Sequence, residues 1–178
     1  MTASHLRAQR WKLLRARAVL LAGLAGLPCA AWCGTLPLVD ALRELDSPGG
    51  MDSVARVQLL HIDYSVEYRS AVSEHFIEQN APARCEMPFT APLRTEFLLT
   101  LHAAAPQTTD QGADLRWSAI FLDRQGIPVH RISANGRYFI VGLGRLGYLD
   151  GIAVAFAPGI GEWFERTLAN CLKSTRHD

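Results

Sequence analysis

Ile160, Trp163, Phe164, Thr167, Leu168, Cys171 and Leu172 recur at spacings of three and four, and this stripe constrains the chain more than any other feature. It predicts an amphipathic α-helix whose opposite face, with Glu162, Glu165, Arg166 and Lys173, meets water. Such a helix draws its stability from tertiary packing, so the rest of the chain must supply an apolar surface to cover the stripe. With 178 residues, 49% of them apolar, the chain can bury one core and is too short for two. Cys171 lies on the buried side of this helix.

The other end reads as an address. Residues 1–17 are basic and are followed by the apolar run Ala18 to Leu27, then Pro28 and small residues through Gly34. These are the parts of a secretory signal peptide, taken as residues 1–33. Cleavage after Cys33 is favoured over cleavage after Ala31, because it removes Cys29 and Cys33 together and leaves Cys85 and Cys171. A retained inner-membrane signal-anchor is the alternative, since no charge falls between Arg17 and Asp40. Against it, Gly23, Gly26, Pro28, Gly34 and Pro37 interrupt that stretch, and a span needs about 20 mainly apolar residues. On either reading residues 34–178 form a single domain outside the cytoplasm, periplasmic or secreted. Beyond the leader Lys173 is the only lysine, a usage that suggests a GC-rich bacterial genome and hence a periplasm. An oxidising compartment favours a Cys85–Cys171 disulfide. Closing a loop about half the chain long would contribute about 4 kcal/mol in the chain-entropy model.

The formal charge of +1 hides an asymmetry. Five bases and no acid lie in residues 1–33, so the remainder carries 13 bases against 17 acids, a net −4. That balance excludes a basic nucleic-acid binder, which must neutralise phosphates.

Between the ends, local patterns alternate between strand and helix. Pro37–Leu45 is helical, with Leu38, Ala41, Leu42 and Leu45 on one face, and Val54–Tyr64 reads as a strand. Ser73 caps a short helix through Gln79, and Pro82 and Pro88 bracket an edge or irregular piece carrying Cys85. Pro92 opens a helix running to about Ala104, and Ala105–Ala113 is polar loop. Leu115–Leu122 and Ile127–Ser133 form a hairpin across Asp123–Gly126. Asn135-Gly136 and Asp150-Gly151 are favoured hairpin turns, which makes Arg137–Val141, Leu146–Leu149 and Ile152–Phe156 short antiparallel strands. The sum is an α+β domain: an antiparallel sheet of four to six strands, amphipathic helices packed on one face, and the C-terminal helix closing the fold.

Gly142 to Gly147 spells GxGxxG, but a dinucleotide site needs a helix directly after it, and a hairpin follows here. The glycines are read instead as positions of positive φ or close backbone contact, with Arg145 held out between them. None of the eight serines beyond the leader sits in GxSxG or SxxK, and neither cysteine has a CxxC partner, so no catalytic residue is assigned. His75 and Glu78 share a helix face, yet no second pair completes a metal site, and neither a metal nor a cofactor is expected. His61 and Asp63 are read as facing opposite ways on their strand, His102 as complementing a helix C-terminus, and His130 as sharing a strand face with Ile132. Trp117, Trp163 and Phe164 are assigned to the core. Tyr64, Tyr68, Tyr138 and Phe139 mix with arginines, as at protein interfaces.

The resulting expectation is a non-catalytic binding or interaction domain, of the envelope-accessory or inhibitor type, whose partner is another envelope protein. Its contact surface is placed on Arg137, Tyr138, Arg145 and Tyr148, with contact to a membrane only through a retained N-terminal segment. The alternative is a small envelope hydrolase assembled from dispersed residues, with His61, Glu67 and His75 as acid–base candidates.

Overall fold

The strand that organises the molecule is Leu115–Asp123, buried along its length up to the last residue. It lies inside a seven-stranded sheet whose paired strands are all antiparallel in the computed structural model, which describes residues 36–47, 49–135 and 145–175. In chain order the elements are α1 (Leu36–Asp46), β1 (Val54–His61), α2 (Glu74–Asn80), β2 (Ala83–Pro88), α3 (Ala91–Ala103) and β3 (Gln107–Thr108). There follow β4 (Leu115–Asp123), β5 (Pro128–Asn135), β6 (Arg145–Leu149), β7 (Ile152–Phe156) and α4 (Gly159–Ser174). Across the sheet the order is β2-β1-β4-β5-β6-β7-β3.

The strand period of two sends alternate residues to two separate cores. Val57, Leu59, Trp117, Ala119, Phe121, Ile132, Ala134, Leu149, Val154 and Phe156 share one core with Leu38 and Leu45 of α1, Phe97 and Leu101 of α3, and Ile160, Trp163, Phe164 and Leu168 of α4. On the other side, Leu60, Ile62, Ile120, Leu122 and Leu146 gather around Ile77 of α2 and Val72, which precedes that helix. The α+β class stands, with two corrections to its details. The sheet has seven strands because Gln107 and Thr108, in the stretch read as loop, pair with Ala155 and Val154. Two residues are too few to show a periodicity. The helices also do not all lie on one face, since α2 covers the second core.

Local chemistry explains the boundaries. Ser73 caps α2, its hydroxyl accepting the Phe76 amide at 3.2 Å. At the β4–β5 turn Asp123 Oδ1 accepts the amides of Gln125 and Ile127, each at 2.8 Å, and Gly126 takes φ +79°. At the β6–β7 turn Asp150 and Gly151 have φ values of 48° and 80°, the two positive angles of a type I′ hairpin. The Asn135-Gly136 turn and the strand expected over Arg137–Val141 extend beyond the described residues, as do the leader and its cleavage points.

Cys85 and Cys171 form the disulfide, with Cα atoms 6.1 Å apart and 86 residues between them in sequence. Both are buried. The bond fastens β2, at the sheet's edge, to the buried face of α4. Among the described residues no helix is long and apolar enough to cross a membrane.

Candidate functional site

β1 ends where its last residues turn out of the sheet. The Ile62 amide still donates to the Arg116 carbonyl at 2.9 Å, but Asp63 then closes a turn, Oδ1 accepting the Ser65 amide at 2.8 Å. This turn sets His61, Asp63 and Tyr64 beside Trp117 of β4 and Glu165, Leu168, Ala169 and Leu172 of α4, around a groove of about 460 Å³.

Rings form the groove's base. His61 and Trp117 stand directly opposite across the β1–β4 ladder, the placement that lets cross-strand rings meet. They stack with centroids 3.8 Å apart and planes 22° apart, and Trp117 stacks in turn on Phe164 at 5.7 Å and 27°. Exposure rises along this column, from fully buried Phe164 through Trp117 to partly exposed His61. Tyr64 meets His61 edge-on, and its hydroxyl accepts the Trp117 Nε1 hydrogen at 2.8 Å.

Charge around the column is mainly negative. Burial lowers the His61 pKa from its ordinary value, with Asp63 and Glu165 acting upward and Arg116 downward. The imidazole is therefore neutral at about pH 7, and its Nε2 is buried with no hydrogen-bond partner. Arg116 is directed elsewhere, to the Asp114 carboxylate and the Val66 carbonyl, both at 2.8 Å. Half-buried Glu165 makes no hydrogen bond or ion pair with any described residue. The site thus combines a neutral planar ring, a carboxylate open to a ligand, and an apolar wall from α4.

A second groove of about 460 Å³ is lined by Glu44, Glu74, Val129, His130, Arg131 and Asp150. Its histidine is committed to structure. The hydrogen bond to Asp150 raises the His130 pKa against the opposing effect of burial, helped by the charges of Asp150 and Glu44 and by the Gly50 carbonyl. Arg131 pairs with Glu78, and Ser133 donates to Glu74 Oε1 at 2.7 Å. A larger groove, about 670 Å³, runs past Val72, Glu74, His75, Ala113 and Tyr148.

Of the four residues assigned to a contact surface, two are described, Arg145 and Tyr148. Arg137 and Tyr138 lie outside the described residues. Arg145 is not held out between glycines: it is the first residue of β6, 5% exposed, with its guanidinium against Gly161 of α4, where an added methyl would overlap it. Tyr148 is partly buried against the second core and lines the larger groove. The glycine pattern ends inside a strand. Gly147 lets β6 approach β5, because a Cβ there would overlap the Ser133 carbonyl.

The dispersed histidines are likewise not gathered. His61 lines one groove, His75 lines another, and exposed Glu67 lines none of the three. His61 and Asp63 do share a groove, contrary to the expectation that they face apart. Residues two apart on an extended chain lie on one side, and the turn at Asp63 keeps them there. The sequence assigns Trp117 to the core and Glu165 to the solvent face without linking either to His61, since the link depends on strand register and helix docking. Among the described residues no group of three or more His, Cys, Asp or Glu is placed to hold a metal ion. Comparison with known proteins finds no match to the chain, whether among family models, curated proteins or solved structures.

Proposed function

We propose that this protein is an extracytoplasmic binding domain that engages another protein of the bacterial envelope without catalysing a reaction. The observation that carries the reading is the His61 groove, where a stacked ring, an unpaired carboxylate and an apolar helix wall meet at the surface. Partly exposed aromatic anchors in a concavity are what binding sites are built from. The Cys85–Cys171 disulfide supports an oxidising location, and the basic-apolar-small order of residues 1–33 supports export to it.

The test is cross-linking in the native envelope with a C-terminally tagged chain, comparing wild type with Ala169→Arg. Ala169 is exposed and lines the groove, so the longer side chain fills the groove without entering the core. The expected result is one near-stoichiometric protein partner captured by the wild type and lost in the variant. Intact mass should show a chain beginning at Gly34 and two hydrogens short of its reduced form. Equal capture by both chains, or a mature chain with no partner, would overturn the reading.

A further inference from the structure

We infer that the His61 groove receives the guanidinium group of an arginine side chain from the partner protein. The inference rests on the proposal that this groove is the recognition surface, and it specifies the chemistry recognised there.

Three features converge on that group. The column Phe164–Trp117–His61 is a stack of near-parallel rings that begins in the core and ends at the groove, with interplanar angles of 27° and 22°. Trp117 is sandwiched and unavailable, so a planar group can extend the stack only over His61. A guanidinium is planar and stacks on aromatic faces, whereas an ammonium is a hydrated point charge. The second feature is charge. His61 is neutral, Asp63 and Glu165 line the groove, and the nearby cation Arg116 is held by Asp114 and Val66.

Glu165 makes none of the ion pairs seen among the described residues, and a carboxylate beside a stacking face suits the forked donors of arginine. The third feature is the wall of Leu168, Ala169 and Leu172, which covers the aliphatic stem of a long side chain while its charged end reaches Glu165. A neutral aromatic ligand would satisfy the stack and the wall but would leave the carboxylate without a counter-charge.

The experiment is a titration of the full oxidised domain with the end-capped tripeptide Gly-Arg-Gly, following the His61 ring protons by NMR. Parallel titrations replace the arginine with lysine, citrulline or tyrosine, and the His61 signal is assigned from its loss in His61→Gln. Arginine should move the His61 resonances saturably at concentrations up to about 10 mM, with binding at least about tenfold tighter than for lysine or citrulline. Glu165→Gln should weaken the arginine effect about tenfold while leaving the melting temperature unchanged, because Glu165 lies on the open side of α4.

No movement with arginine overturns the inference. So does an equal response to lysine, which would report charge alone, or a stronger one to tyrosine, which would report an aromatic ligand. Peptide binding without envelope capture would discard the envelope partner and keep the guanidinium site. Capture that Ala169→Arg abolishes, without a peptide response, would discard only the guanidinium site.

Discussion

His130 Nδ1 donates to Asp150 Oδ2 at 2.9 Å, and the other oxygen of the same carboxylate accepts the Arg131 amide at 2.6 Å. One aspartate thus fixes both a buried imidazole and the backbone of β5, from the residue that also makes the β6–β7 turn. The Gly50 backbone, in the α1–β1 connection, also acts to raise the His130 pKa.

Two histidines with opposite shifts should shape stability against pH. The His130 pKa is raised, first by its bond to Asp150, so its contribution is complete below about pH 6.5 and is lost as pH rises through the raised value. The His61 pKa is lowered by burial, so the neutral ring favours the fold above about pH 6.5, and that contribution is lost as pH falls through the lowered value. Thermal melts from about pH 5 to about pH 9 should therefore fall off on both sides. His130→Gln should flatten the alkaline limb and His61→Gln the acid limb. The reverse assignment would contradict both protonation states.

Reducing the Cys85–Cys171 bond should destabilise the domain by about 2–5 kcal/mol, the usual range for loss of a native disulfide from a small domain. The double variant Cys85→Ala with Cys171→Ala should match the reduced protein in denaturant midpoint. An unchanged midpoint in both would mean that β2 and α4 hold together without the bond.

Gly161→Ala should also destabilise, by about 1–3 kcal/mol, because the new methyl overlaps the buried Arg145 guanidinium. Arg145→Ala should lower the melting temperature too, as expected for a side chain that is 5% exposed. In the double variant the clash is gone and alanine is the better helix residue, so the two effects should be strongly non-additive. Additive losses would show that Arg145 does not lie against Gly161.

Tyr64→Phe removes the acceptor for the buried Trp117 Nε1 hydrogen and should destabilise by about 1–3 kcal/mol. Indole hydrogen exchange should quicken in parallel. Unaltered exchange would mean that this hydrogen has another acceptor.

Legibility from the sequence followed the range of the interaction. The α4 stripe, the Ser73 cap, Pro92 at the start of α3 and the Asp150-Gly151 turn are each written within a few neighbouring residues, and each was readable. The disulfide follows from a count of cysteines and the expected compartment. What could not be read is what the sheet register creates. Trp117 and His61 meet only because β1 pairs with β4, and Arg145 is buried only because α4 crosses β6 at Gly161, where there is no side chain to obstruct it. The position of α2 on the opposite face was hidden for the same reason, since amphipathicity tells which side of a helix is covered and not which side of the sheet covers it.

The sheet's pairings differ in how much chain each must bring together. The β4–β5 and β6–β7 hairpins close over short turns, whereas β1 meets β4 only after the chain has passed through α2, β2, α3 and β3. Contacts between distant segments carry the larger loop-closure entropy and slow folding. The His61 groove takes its base from β1 and β4, one side from the turn after β1 and its far wall from α4. It therefore exists only once the most distant segments have docked, and a partly folded chain with both hairpins in place would not present it.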